Sequence, residues 1–187
     1  MAILTTHHAW YTWTDLAIRH ERHALKARAA RDIYEYRPGL IAITSSAFAL
    51  DALYGVAKGL IPDPGAKGSL GAKVGERVKR GVSPGKLAQS WPGRIGDLFK
   101  LRREAVHFNE ETVAPVWHGT YQTNVDPSVI RWGADPATSA VDLTLEVLES
   151  WATHPSRSTQ AWAVANAPGV QTLVDLRSDL DATSTRA

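Results

Sequence analysis

Apolar residues recur along this chain at the three- and four-residue steps that are typical of amphipathic α-helices. The clearest series follows Pro38, a favoured first-turn residue, and ends before Pro62 and Pro64. Its apolar positions alternate in steps of three and four: Leu40, Ile43, Ala47, Leu50, Tyr54, Ala57 and Ile61. This series predicts a helix that packs against neighbouring helices along its whole length.

Shorter series of the same kind predict four other helices. They run from about 13 to 36, around 76–80, from about 94 to 108, and from 135 to about 153. Pro38-Gly39 ends the first of them, and Trp91-Pro92-Gly93 precedes the third. Asp135-Pro136 offers a cap and a first turn to the last.

Three other segments predict less regular structure. Residues 62–75 are rich in glycine and proline, which predicts a loop, and they lack the Gly-Lys-Ser/Thr ending of nucleotide-binding phosphate loops. Residues 111–134 look irregular, with Val113–Trp117 and Val129–Trp132 as candidate strands of a small hairpin. From Ser156 onward the chain is polar, with one short helix expected at Val170–Leu180.

Together these elements predict an all-α protein. Short connections between long helices favour antiparallel packing, so we expect a bundle of four to five helices. A small irregular or hairpin insert precedes the last long helix. The predicted domain covers residues 10–155, and residues 156–187 form a C-terminal tail that is partly disordered.

Composition excludes several classes of chemistry. The chain has no cysteine, which excludes disulfides, thiolate nucleophiles and cysteine zinc sites. The N-terminus lacks the basic start and long apolar run of a signal peptide, and the apolar runs are interrupted by charge. We therefore expect a cytoplasmic protein with no membrane partner, no metal and no cofactor.

The charge is unevenly distributed. Residues 1–110 hold 17 Lys/Arg and 10 Asp/Glu, a net charge of +7, whereas residues 111–187 hold 4 and 9, a net charge of −5. Between Lys67 and Arg103 there are 10 basic residues against Glu76 and Asp97. Clustered positive charge attracts phosphate backbones, although a solvated basic loop has the same composition. Four residues of this stretch are candidates for RNA binding: Lys73, Lys79, Arg80 and Lys100.

One arginine in the predicted helix 94–108 stands among apolar residues. At about 100° per residue, Arg102 lies near the middle of the face formed by Ile95, Leu98, Phe99, Ala105 and Val106. A charge in such a place is costly unless it is paired or used. His107 follows five residues later, and it titrates near neutral pH. A fixed cation beside such a group suits phosphate chemistry.

The chain resembles the HEPN domain superfamily in the order of its elements. A helix, a proline turn, a second helix and a basic loop precede the segment Leu101-Arg102 to Val106-His107-Phe108, and a final helix follows it. The signature of that family is an arginine and a histidine separated by four to six residues. The alanine-rich segment 45–53, which contains Asp51, resembles the second helix of such domains. The residue after the arginine is commonly Asn, Asp or His in the family, and here it is Arg103.

The resemblance implies a metal-independent endoribonuclease with a composite site in a homodimer. Arg102 would hold the scissile phosphate, His107 would move protons, and Asp51 would orient Arg102. Bacterial members include toxins of toxin–antitoxin and abortive-infection systems, which implies an antitoxin protein as a further partner beside RNA. Arg103 with His107 forms an alternative couple at i,i+4 spacing.

Several alternatives stay open from the sequence. Some members of the superfamily have lost catalysis and only bind RNA or a partner, and a purely structural helical scaffold has the same pattern. Arg102 can also simply pair with Asp51 while His107 caps its helix. His20 and His23 have a metal-ligand spacing but no evident third ligand. Aromatic residues of the insert can stack on RNA bases or pack in the fold: Trp117, His118 and Tyr121.

Overall fold

The computed structural model describes residues 8–85, 87–106 and 114–184. These residues form seven α-helices and one two-stranded antiparallel sheet, so the all-α class is confirmed. The helices are α1 (Ala9–Ala29), α2 (Tyr36–Leu60), α3 (Leu70–Lys79), α4 (Trp91–Val106), α5 (Pro127–Trp132), α6 (Ala134–Thr153) and α7 (Gln160–Ser184). The strands are β1 (Val116–His118) and β2 (Thr123–Val125), and 3₁₀ turns cover Ile33–Glu35 and Leu87–Ser90.

Helix α2 is the centre of the fold and contacts five other helices: α1, α3, α4, α5 and α6. The apolar series predicted for it is confirmed, since Ile43, Ala47 and Leu50 have no exposed surface. The segment 33–60 is long and apolar enough to cross a membrane by length and composition, and half of its most apolar window is buried within the fold. The helix predicted at 135–153 is confirmed as α6.

The first helix ends earlier than predicted, at Ala29 instead of near residue 36. Arg31 adopts a left-handed backbone with φ of 56°, and the Asp32 carboxylate accepts a hydrogen bond from the Tyr34 amide at 2.9 Å. Such a local side-chain cap competes with helix continuation. The buried Glu35 that follows accepts two hydrogen bonds from Arg28, at 2.8 and 3.0 Å, and holds this turn in place.

Helix α3 begins at Leu70, so the prediction of a loop through residue 75 was wrong. Ser69 caps the helix by accepting a hydrogen bond from the Ala72 amide at 3.3 Å. Two glycines that suggested a loop lie where α3 packs on α4. A Cβ atom on Gly75 would stand 2.5 Å from the Pro92 Cα, and one on Gly71 would stand 2.8 Å from the Phe99 Cβ.

The insert does contain a hairpin, but its second strand differs from the predicted one. Val116 pairs with Val125 and His118 with Thr123. The segment expected as the second strand, 129–132, belongs to α5 instead. Asp126 caps this helix by accepting a hydrogen bond from the Ser128 amide, and Pro127 occupies the first turn. These signals for a helix start outweigh the strand preference of the β-branched residues.

The predicted polar tail is a 25-residue helix, α7, so residues 156–184 are part of the same fold as residues 10–155. Trp162 packs between two other tryptophans, with ring centroids 5.3 Å from Trp151 and 5.6 Å from Trp10. Leu173 has no exposed surface. Pro168 lies inside the helix, which is why the pattern predicted a helix only from residue 170.

Candidate functional site: a cationic cleft between two helices

A cleft of about 600 Å³ lies between the start of α3 and the length of α4. Its α3 wall is formed by Ser69, Leu70 and Gly71. The first amides of a helix have no acceptor within the helix, so this end presents partial positive charge. The residues on the α4 wall are Pro92, Gly93, Gly96, Asp97, Phe99, Lys100, Arg102, Arg103 and Val106.

Contacts at the start of α4 fix this wall against α6. Glu146 accepts a hydrogen bond from the Trp91 indole at 2.6 Å and from Arg94 at 2.8 and 2.9 Å. Trp91 is buried, as are Ile95 and Leu98 one and two turns later. The opposite face of α4 is therefore the one that the cleft exposes.

Three cations of α4 line the cleft: Lys100, Arg102 and Arg103. None of the ion pairs within the described part of the chain involves any of them. Asp97 is the carboxylate among the lining residues. Because three cations line the cleft with one carboxylate, its lining carries a net positive charge that favours an anionic ligand.

Arg102 is held by aromatic rings. Its guanidinium carbon lies 4.2 Å from the centroid of the Phe48 ring and 5.8 Å from that of Phe99. The Phe48 ring also packs against Trp13, at 4.9 Å between centroids. A guanidinium on the face of an aromatic ring keeps its edge N–H groups free to donate hydrogen bonds.

The environment of Arg102 differs from the predicted one in two respects. The apolar face ends before Val106, which is 62% exposed, so Arg102 lies at the rim of that face and is half-buried. Asp51 forms no ion pair with Arg102 in the residues that the structure describes, and the Phe48 ring lies against the guanidinium instead. The sequence indicated the unusual arginine but not the aromatic side chain that holds it.

The predicted basic residues separate into two groups. Lys100 lines the cleft, and Lys73 is exposed in the first turn of α3. Lys79 and Arg80 lie at the other end of α3, about 14 Å along the helix axis from Leu70. There they line a separate depression of about 390 Å³ together with Ser83 and Ser156.

His107, the second half of the predicted catalytic pair, lies outside the described residues. The described part of α4 ends at Val106, the residue directly before it. Arg103 is exposed on the wall of the cleft. The position of an Arg103–His107 couple also falls outside the described residues.

The other histidine candidates lie far along the chain from the cleft. The His20 and His23 rings are 5.8 Å apart on α1, and burial, with a smaller effect of His23, lowers the pKa of His20. Within residues 8–85, 87–106 and 114–184, no three His, Cys, Asp or Glu side chains are grouped so that they could hold a metal ion.

The aromatic residues of the hairpin have different roles. Trp117 is 60% exposed. Tyr121 packs against the His118 ring at 4.6 Å and donates a hydrogen bond to the Asp32 carbonyl at 3.2 Å, which ties the hairpin to the turn before α2. Burial, and next the negative charge of Glu35, raises the pKa of Tyr121 to about 12.

Comparisons with models of protein families, with curated proteins and with solved structures find no match to this chain. The cleft and the sequence around it are therefore the features that bear on function. Phe48, Leu70 and Asp97 are residues of the site that the sequence did not single out. The available signal for Phe48 was its size, because it is the one large aromatic residue in the alanine- and serine-rich middle of α2.

Proposed function

We propose that this protein is an HEPN-like endoribonuclease that cleaves RNA without a metal ion at the end of α4. The observation that carries the proposal is the state of Arg102, which lies over the Phe48 ring beside an open cleft and forms no ion pair in the described part of the chain. An arginine in this state offers a fork of N–H donors to a phosphodiester.

In the proposed reaction, Arg102 holds the scissile phosphate and stabilises the negative charge that develops on it. The 2′-hydroxyl of the RNA attacks the phosphorus, and the bond to the 5′-oxygen of the next nucleotide breaks. A neutral imidazole accepts the proton of the 2′-hydroxyl, and a protonated one donates a proton to the leaving oxygen. His107, five residues after Arg102, is the residue we assign to this proton transfer.

The proposed active form is a cytoplasmic homodimer. On a regular helix, residues five positions apart point about 140° from each other, so one chain does not readily turn both groups to one phosphate. A two-fold axis would place two Arg102–His107 motifs opposite each other. The resemblance in sequence alone supports three further parts of the proposal. These are the HEPN-like bundle, a toxin or phage-defence role and an antitoxin protein partner.

The test is cleavage of several labelled RNAs by pure protein in EDTA. We expect the wild type and the control Arg157→Ala, which changes an exposed arginine after α6, to cut RNA equally. His107→Ala should abolish cutting, and Arg102→Ala should reduce it by at least about a hundredfold. If wild type cuts no better than His107→Ala, the catalytic proposal is wrong.

A second candidate function is an RNA-binding module without catalysis. The observation in its favour is that the three cations of the cleft can bind phosphate without any contribution from His107. Binding that survives His107→Ala, weakens on Lys100→Ala and falls with rising salt, without cleavage, would support this candidate. Sedimentation of the same samples tests the dimer, and a strict monomer would exclude a composite site.

A further inference from the structure

The cleft has apolar walls as well as cations. Leu70 and Val106 are large apolar side chains that remain 48% and 62% exposed, and both line it. The lining also includes three glycines, Gly71, Gly93 and Gly96, which leave room for a ligand. Its volume of about 600 Å³ falls within the range of small-molecule pockets. An anion that carries a flat apolar group fits such a cleft better than a bare phosphate does.

Asp97 adds a hydrogen-bonding preference. It is exposed on the α4 wall and, in the part of the chain that the structure describes, forms no ion pair with Lys100 or with any other cation. An ionised carboxylate only accepts hydrogen bonds, and it accepts two in parallel from a suitable donor pair. A ligand group that presents two N–H donors side by side therefore suits Asp97.

Among the RNA bases, guanine presents two neighbouring N–H donors on its Watson–Crick edge. Adenine and cytosine present an amino group beside an acceptor nitrogen. Uracil presents one N–H between two carbonyl oxygens, which a carboxylate repels. A carboxylate on the wall of a base-sized cleft therefore favours guanine and disfavours uracil.

We propose that the cleft between α3 and α4 binds the guanine base of a nucleotide whose phosphate lies at Arg102, and that Asp97 determines this specificity. Asp97 and Arg102 both line the cleft, about 7.5 Å apart along the axis of α4 and about 140° apart around it, so the nucleotide spans the cleft from one side to the other. Leu70, on the facing wall, covers a face of the base. This inference rests on the proposed RNA-directed function, because it places the base beside the phosphate that the reaction cleaves.

The first experiment measures binding by calorimetry to the 5′-monophosphates of guanosine, adenosine, cytidine and uridine, and to short RNAs that differ at one nucleotide. We expect wild type to bind the guanine-containing ligand at least about tenfold more tightly than its uracil counterpart. Asp97→Asn should lose that preference. The control Glu149→Gln, which changes an exposed carboxylate of α6, should keep it.

Leu70→Ser separates the apolar wall from the carboxylate. Leu70 is half exposed at the first position of α3. Its substitution should therefore weaken the binding of all four monophosphates by a similar factor and leave the order of their affinities unchanged. Equal affinity for the four bases in wild type, or a preference that Asp97→Asn leaves intact, would overturn the inference. If the protein prefers guanine in the RNAs but does not bind the free monophosphates, the site is specific for RNA. If it prefers guanine in both kinds of ligand, the site binds guanine nucleotides generally.

The failures of the two proposals are distinguishable. RNA cleavage without base preference would leave the endoribonuclease in place and refute the guanine site. Guanine-selective binding without cleavage in EDTA would refute the catalytic role of His107 and leave the guanine site in place. Thermal unfolding of each variant establishes that a loss of binding is not a loss of fold.

Discussion

The Arg102 guanidinium stacks on the Phe48 ring at 4.2 Å, and this contact joins α4 to α2 across 54 positions of sequence. The ring restricts the movement of the guanidinium, and Arg102 also lines the cleft. An arginine that is already ordered loses less side-chain entropy when it binds a phosphate. Phe48 is therefore a positioning residue for Arg102 and contacts no part of the proposed reaction itself.

Phe48→Leu should weaken RNA binding at fixed salt by about 0.5–1 kcal/mol, because the cation–π contact is lost while the charge remains. The matched control is Tyr34→Leu, which removes a similar stack under Arg37, at 4.4 Å, outside the cleft. We expect no change in RNA affinity for the control. Equal losses in the two variants would mean that the Phe48 contact does not position Arg102.

Gly75→Ala should destabilise the protein by about 1–3 kcal/mol, because the new methyl group meets the backbone of Pro92 and must push α3 from α4. Gly59→Ala is the control on α2, where nothing lies within 4 Å of a new Cβ. That substitution should stabilise the protein by about 0.5–1 kcal/mol through its helix propensity. Urea unfolding of both variants measures the difference, and similar midpoints would contradict the tight contact.

Trp162→Ala should lower the free energy of unfolding by about 3–5 kcal/mol, because the ring packs against both Trp10 and Trp151. Val164→Ala on the same helix changes a side chain that is 77% exposed and should stay within about 0.5 kcal/mol of wild type. Urea unfolding again gives both values. A small cost for Trp162→Ala would mean that α7 is not part of the cooperative fold.

Tyr121 should ionise late in an alkaline titration. Its pKa of about 12, raised mainly by burial, means that the folded state keeps the phenol proton between pH 10 and 12 while the unfolded state releases it. The stabilisation from this group is therefore present below pH 10 and is lost as the pH rises through 12. In a titration followed by ultraviolet absorbance, Tyr121→Phe should differ from wild type by the loss of one tyrosine that ionises at the alkaline end. A difference confined to pH 9–11 would contradict the raised pKa.

The elements that the sequence predicts well are those whose burial follows their own periodicity. Helix α2 and helix α6 show apolar positions at regular steps, and both helices pack along that face. The end of α1 could not be predicted, because it depends on the Asp32 cap and on the Arg28–Glu35 pair that forms after the turn. These are contacts between side chains, which a hydrophobic pattern does not record.

Helices α3 and α7 were mispredicted for a related reason. Glycine and proline ordinarily interrupt helices, yet Gly75 is required where two backbones meet, and Pro168 is tolerated within a helix anchored by Trp162. At the site, Arg102 was recognisable as a charge among apolar residues. Its partner Phe48 lies on another helix, so only the folded chain brings them together.

The close approach of α3 to α4 at Gly71 and Gly75 has an evolutionary consequence. The separation of the two helices is determined where Gly71 meets Gly96 and the Phe99 Cβ and where Gly75 meets the backbone of Pro92, and the exposed side chains of the lining take no part in these contacts. Residues such as Leu70, Asp97 and Lys100 can therefore be exchanged without loss of packing. A scaffold of this kind lets ligand preference diverge among descendants while the architecture that supports it is inherited unchanged.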